Sequence, residues 1–435
     1  MANANTTVFE RGGSHTGWKL RQWHLILLLA GILLRMAFSL TVDTQSSYAG
    51  WDGEEYHAYA ISLLHLRGDD YPRTLNAIRP PGYPIFLMPF VAIDPRATWH
   101  VQFVQCILGA ILALIIASIA ARWQGKRAAD IAFIATLFYP AIVFYSAFVL
   151  TEVVFSVLLW AGIACLLSAA DAQAKAPTRL IVWSGILFGF ASLTRPGLQL
   201  FLPLAALWIV WTSVRCFKWK VALWRATIFT AVTSSLLLPW LLGNLYAHGE
   251  FSLAPGEGQA NFFLGSSRGY LQTYEATTKE EYYRSLSAVM ALLTRESNFT
   301  PQAWMDAAND FRRHHTRDWL KLQWYKTLHF WTPWLNPTIF DRRNYWVSIV
   351  FTTPLFGLAA GELWRRRKSP DPLLILLLGL MAIGYLVGGL IFHSQVRYRI
   401  PYVEVTFLLL ASSWVSCFSD YVPNRLRTFY RSCRW

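Results

Sequence analysis

Long uninterrupted apolar runs, not short alternating ones, dominate this chain. They lie at about 24–42, 101–121, 129–144, 149–169, 180–193, 198–214, 221–242, 346–363, 373–392 and 401–418. A helix rising about 1.5 Å per residue needs roughly 20 residues to cross a hydrocarbon core of roughly 30 Å. Most of these runs come close to that length. Backbone amides in lipid find no water to bond, so they must pair within the segment, and helices do this. The pattern predicts an all-α polytopic membrane protein with about ten transmembrane helices.

Two of the polar intervals are too long to be simple turns. They divide the chain into a cytoplasmic tail (1–23), an N-terminal membrane module (24–244) containing a first outer loop (43–100), a large outer loop (245–345), C-terminal membrane helices (346–418) and a basic cytoplasmic tail (419–435). In the first loop Tyr56, Tyr59, Ala60 and Leu63 recur at helical spacing, which predicts an amphipathic helix in the interface. Pro80, Pro81, Gly82 and Pro84 then break the chain before an apolar stretch at 85–93, read as a second surface-lying or re-entrant helix. In the large loop, 279–296 and 301–325 read as helices, with Pro301 at a helix start. The loop is crowded with Trp and Tyr. Interfacial anchoring and a platform for sugar or lipid would look alike here.

Composition agrees with a membrane protein. Apolar residues make up 54% of the 435 positions and charged residues only 15%, against roughly 25% in soluble domains. The net charge of +14 would suit a nucleic-acid binder, but its distribution does not. With the N-terminus inside, basic clusters fall on the inner side: Arg122, Lys126 and Arg127; Arg215, Lys218 and Lys220; Arg365, Arg366, Arg367 and Lys368; Arg425, Arg427, Arg431 and Arg434. This is the positive-inside pattern, so no nucleic acid is expected as a partner. Such clusters also attract the headgroups of membrane lipids. The five cysteines lie in spans or on the inner side, so the outer loops offer no disulfide framework.

By the same topology, ionisable residues converge on the outer face. Asp52, Glu54, Glu55 and Arg79 lie in the first loop, Glu152 at the outer end of the fourth span, Arg195 at that of the fifth, and Arg397 and Arg399 at that of the ninth. Arg35 lies in the outer half of the first span. Charges at such depth are costly and usually mark a functional path. Each has a structural alternative. Asp52 with Glu55 fits a capping box. Arg79, Arg397 and Arg399 fit interface anchors, and Arg35 a snorkelling side chain. Glu152 and Arg195 fit an ion pair.

Asp52…Tyr56…Ala60, then RPPGYP from Arg79, then Thr151-Glu152, resembles the GT-C membrane glycosyltransferases. Within them it resembles the branch of protein O-mannosyltransferases and of the aminoarabinose transferase acting on lipid A. LTRP from Leu193, GNLYAHGEF from Gly243 and RYRIP from Arg397 are similar to later segments of that family. The resemblance implies a GT-C fold in the inner membrane. It also implies inverting transfer of a sugar from a polyprenyl-phosphate donor to a hydroxyl of a lipid, glycan or protein acceptor at the outer face. Asp52 matches the family's acidic residue at the catalytic centre. Many members carry Asp-Glu there; this chain has Asp52-Gly53, leaving Glu54 or Glu55 as the second carboxylate. Arg79 stands where related aminoarabinose transferases have Lys. Glu152 matches an acidic residue on the fourth span.

The chemistry is coherent without the family. A sugar phosphate leaves as an anion, and Arg binds phosphate bidentately. The attacking hydroxyl needs a base. Asp52, Glu55 and Glu152 are therefore the catalytic candidates, with Asp52 as base and Glu152 orienting Asp52 or the acceptor. Arg79, Arg195, Arg397 and Arg399 are the candidates for holding the donor phosphate. Tyr56, Glu54 and Tyr83 are placed near the substrate. Asp52-Gly53-Glu54 has the spacing of a DxD metal site, but arginines can stabilise phosphate, so neither a metal nor a cofactor is required. Two other readings stay open: an O-antigen ligase- or polymerase-like enzyme, and a flippase or transporter of lipid-linked sugar.

Overall fold

A computed structural model of the chain describes residues 18–42, 51–64, 79–95, 98–171, 176–293, 300–368 and 370–421. Every regular element among them is helical. Eight helices are long and apolar enough to cross a membrane: Gln22–Ser39, Trp99–Gln124, Glu152–Ala170, Pro196–Val214, Trp219–His248, Arg342–Arg366, Pro372–Ile391 and Val396–Cys417. Each overlaps one of the expected spans. The expected span at 180–193 is the helix Pro177–Thr194. The one at 129–144 is broken into Lys126–Leu137 and Pro140–Tyr145. Pro140 causes the break: the residue before a proline is pushed out of the α region, and Tyr139 sits at φ −66°, ψ 119°.

The membrane helices pack in a network rather than a ring. Trp99–Gln124 lies against Lys126–Leu137 and Glu152–Ala170. Glu152–Ala170 packs on Pro177–Thr194, and that helix on Trp219–His248. Large side chains fill the seams, with Phe133, Phe155, Trp160, Phe188, Phe201 and Phe229 all fully buried. The last two spans are irregular where they meet. Pro372–Tyr385 runs into a π-turn at Leu386–Ile391, and Val396–Arg399 into another at Ile400–Glu404. Such turns shift the register of side chains and recur at functional sites.

The first loop contains the expected pair of helices, Trp51–Leu64 and Gly82–Ile93, packed on each other. Tyr56, Tyr59 and Ala60 are buried as their spacing predicts. Gly82 lies against the end of Pro177–Thr194, where a Cβ would come within 2.6 Å of the Leu193 carbonyl carbon. Only glycine permits that approach.

The large loop holds Glu257–Leu264, Arg268–Glu275, Lys279–Ala291, Pro301–His314 and Thr316–Trp331 around the fully buried Trp304. The helix expected at 279–296 is described as Lys279–Ala291, and 294–299 lie outside the described residues. Pro301 opens a helix as expected, capped by the Thr300 hydroxyl, which accepts the Ala303 N–H at 3.2 Å. The single helix expected at 301–325 is two, because His315 leaves the helical region at φ −124°, ψ 45°. The second helix thereby runs from the outer core at Leu322 to the membrane core at Phe330. Lys326 fixes it there, donating to the carbonyls of Gly265 at 2.9 Å and Leu390 at 2.6 Å.

Candidate functional site

The site forms where the first-loop helix, the large loop and the start of the last span meet. Arg79 is its hub. Its Nε donates to Glu55 Oε2 at 2.7 Å, Nη2 to Asp52 Oδ1 at 2.7 Å and Nη1 to Glu257 Oε1 at 2.9 Å. Its guanidinium also lies over the Tyr56 ring, 5.3 Å from the centroid. Arg397 takes the other oxygen of Asp52: its Nη2 donates to Oδ2. Its Nε donates to Gln395 Oε1 at 2.6 Å and lies 3.8 Å from Glu152 Oε1. Asp52 is thus shared by two guanidiniums from opposite ends of the chain. Burial alone would push its carboxyl up; Arg397 and Arg79 outweigh that and hold it far below the usual carboxylate range. Burial works against the charge on Arg79 too, but Asp52 and Glu257 raise its pKa well above the ordinary value.

A second ion pair backs the first. Arg195 donates from Nη2 to Glu152 Oε1 at 2.5 Å and from Nε to Thr151 Oγ1 at 2.8 Å. Its guanidinium lies between the rings of Phe155 and Tyr398, at 5.3 and 5.7 Å. Glu152 Oε1 is therefore near both Arg195 and Arg397. The pair stands behind Asp52, away from the cavity described below.

Asp52, Arg79, Glu257 and Arg397 line a cavity of about 280 Å³. Tyr270, Tyr274 and Tyr282 of the large loop and His393 and Ser394 between the last two spans complete its wall. The wall depends on a close approach: a Cβ on Gly265 would lie 2.5 Å from the carbonyl carbon of Phe392.

The structure does not bring every expected residue to this point. Arg399 turns away and pairs with Glu404, its Nε donating to Oε1 at 2.5 Å. Its Nη1 donates to the carbonyls of Phe330, at 3.0 Å, and Thr332. Glu404 also accepts from the Tyr139 hydroxyl at 2.7 Å, so Arg399 is held inside the protein and does not line the cavity. Tyr83 is fully buried and donates to Gln105 Oε1 at 3.0 Å; it supports Tyr56 edge-to-face but does not reach the cavity. Glu54 is exposed. Both oxygens of Asp52 are engaged by guanidiniums. Among the described residues no group of three or more His, Cys, Asp or Glu is set to hold a metal ion. Arg35 is fully buried against the neighbouring helix and donates to the Gly31 carbonyl at 2.9 Å, so it does not snorkel.

Glu257, His393 and Ser394 had no signal in the sequence. Glu257 follows Gly256, which takes φ 75°, so a sharp turn aims the helix start at Arg79. A glycine before an acidic residue in a polar loop is too common to single out.

Comparisons with known proteins fit this arrangement. Residues 78–240 match the family model described as dolichyl-phosphate-mannose-protein mannosyltransferase. The match includes Arg79, Glu152 and Arg195 and leaves out Asp52, Glu257 and Arg397. No curated protein matches the chain. Two solved structures of the Archaeoglobus fulgidus oligosaccharyltransferase have the same fold. One, AglB in complex with an inhibitory peptide and a dolichol-phosphate, is 13% identical with a TM-score of 0.54, over 95% of this chain and 52% of that one. The other, tethered to an acceptor peptide, is 14% identical with a TM-score of 0.51, over 93% and 50%. The chain spans about half the length of these proteins. It is therefore a multi-pass membrane protein with the GT-C glycosyltransferase fold, and its residues 78–240 match the dolichyl-phosphate-mannose-protein mannosyltransferase family.

Proposed function

We propose that the protein transfers a sugar, with inversion, from a polyprenyl-phosphate carrier to an acceptor hydroxyl at the outer face of the membrane. One observation carries this reading: the Asp52 carboxylate is shared by Arg79 and Arg397 on the wall of a cavity. A base and two phosphate-binding forks stand together, each occupying the other. The dolichol-phosphate in the AglB complex supports a lipid-phosphate donor for this fold. The inner-side basic clusters support the outward orientation.

The pairing suggests how the site is kept from acting early. A carboxylate between two guanidiniums is a poor base. The donor phosphate competes for the same N–H groups, and charge-assisted bonds to phosphate are strong. As Arg79 and Arg397 turn to the phosphate, Asp52 loses the charges that depress its pKa and its basicity rises. The acceptor oxygen then attacks the anomeric carbon as the bond to the phosphate oxygen breaks. Asp52 takes the hydroxyl proton, and polyprenyl phosphate leaves held by the two arginines. Glu55 and Glu257 hold Nε and Nη1 of Arg79 while its Nη2 passes from Asp52 to the phosphate; Glu152, anchored by Arg195, steadies Arg397. No metal or cofactor enters this scheme.

The test uses the purified full-length protein in proteoliposomes with a polyprenyl-phosphate sugar and a hydroxyl acceptor. Release of free polyprenyl phosphate that depends on Asp52 supports the reading. Movement of the intact lipid across the bilayer with no release would make the protein a flippase and overturn it.

A further inference from the structure

Three residues of the cavity wall carry a buried polar atom without a hydrogen-bond partner: Glu257 Oε2, His393 Nδ1 and Ser394 Oγ. A buried polar group left unpaired costs free energy, so such groups are normally satisfied and an exception needs a reason. Three around one cavity point to a polar ligand that completes them.

The hydrogen-bond network fixes what His393 can offer. Arg397 Nε–H donates to Gln395 Oε1 at 2.6 Å, so the other end of that amide is its NH₂ group. This NH₂ lies 2.9 Å from His393 Nε2, which must accept. The Tyr398 hydroxyl, 3.2 Å from the same nitrogen, also donates to it. Burial, reinforced by Arg397, pushes the imidazole down to about 3, so the ring is neutral. A neutral ring with an accepting Nε2 carries its proton on Nδ1. His393 therefore presents an unused N–H donor, Ser394 a hydroxyl that donates or accepts, and Glu257 an acceptor oxygen. The Tyr270 and Tyr274 hydroxyls donate to the Ser394 carbonyl at 3.3 and 3.4 Å, which holds this corner of the wall in place.

We propose that Glu257, His393 and Ser394 form a subsite for the sugar of the donor and hold it by hydrogen bonds to its hydroxyls. This rests on the donor reading above. A sugar hydroxyl both donates and accepts, so a ring can take the His393 N–H, exchange a bond with Ser394 and give one to Glu257. A lipid phosphate without the sugar leaves all three atoms unpaired. Discrimination by unpaired polar groups is a strong form of specificity.

The test measures equilibrium binding to the full-length protein in nanodiscs. Two lipids serve as probes: undecaprenyl phosphate and undecaprenyl-phosphate mannose. The wild type should bind the mannose lipid about tenfold or more tighter than undecaprenyl phosphate. The double variant His393→Leu/Ser394→Ala should hold undecaprenyl phosphate normally yet lose the mannose preference to within about twofold. His393→Asn, which keeps an N–H near the Nδ1 position, should recover part of it. Equal wild-type affinity for undecaprenyl phosphate and the mannose lipid, or a preference surviving the double variant, overturns the subsite and leaves the donor reading standing. Failure of the wild type to bind either lipid overturns both.

Discussion

Arg397 and Arg399 are two residues apart in one short segment, and their fates differ. Arg397 faces the cavity and shares Asp52 with Arg79; Arg399 is buried in the core against Glu404 and the carbonyls of Phe330 and Thr332. At about 100° per residue, positions two apart on a helix point some 200° apart. One arginine is therefore on the site and the other on the packing side. The Arg397 pairing is partly solvated, and in the proposed mechanism it exchanges a carboxylate for the donor phosphate. The Arg399 pairing has all its partners inside the protein and nothing to exchange with. Two guanidiniums with similar carboxylate partners can thus serve chemistry in one case and integrity in the other.

This contrast can be broken by substitution. The largest effect is expected at Asp52→Asn, which should lower sugar transfer by about 10²–10⁴-fold while the protein still folds, measured as polyprenyl phosphate release beside a thermal melt. Full activity in that variant would remove Asp52 as base. Next, Arg399→Ala should destabilise the protein by about 3–5 kcal/mol, because Glu404 is left as a buried uncompensated charge. The pair Arg399→Met/Glu404→Leu should recover most of that loss. A melt of Arg399→Ala unchanged from wild type would erase the distinction between the two arginines. Arg397→Lys should weaken donor binding by roughly tenfold or more with little change in stability, since Lys lacks the planar fork. If Arg397→Lys instead melts early and binds donor normally, the roles are reversed.

A pH series sharpens the same comparison. Asp52 has its pKa depressed in the folded protein, so its ion pairs contribute stability above the unfolded carboxyl value of about 3.9. That contribution is lost as pH falls through the folded value. The stability difference between wild type and Asp52→Asn should therefore hold constant from pH 8 to pH 5 and shrink only below about pH 4. A gap that closes near neutrality would mean the carboxyl is not held down by the arginines. The smallest effect is expected at Glu54→Gln, where an exposed side chain should change transfer less than about twofold and stability by no more than about 0.5 kcal/mol.

Much of the site was legible because its parts lie in short local patterns. The Tyr56–Ala60 spacing located the first-loop helix, and Pro80-Pro81-Gly82 marked where the chain turns after Arg79. Placing Glu152 and Arg195 at one end of adjacent spans left two readings open, an ion pair or separate roles on the substrate, and in the structure the two are paired. What failed was direction at fine scale. Arg399 was grouped with Arg397 because topology assigns residues to a side of the membrane, not to a face of a helix. Glu257 was passed over because its importance comes only from Arg79, 178 residues earlier.

The amino-acid order by itself determined the membrane helices, their approximate limits, the two structured loops and the gathering of charge on one face. These depend on hydrophobic runs, proline positions and charge bias, which act within a few turns of chain. Only the tertiary structure decided which charges meet. The bond between Asp52 and Arg397 joins residues 345 positions apart, and the bond between Arg79 and Glu257 joins residues 178 apart. The reason is physical: burial is governed by local composition, whereas an ion pair requires a distance and a direction that depend on how every intervening helix packs.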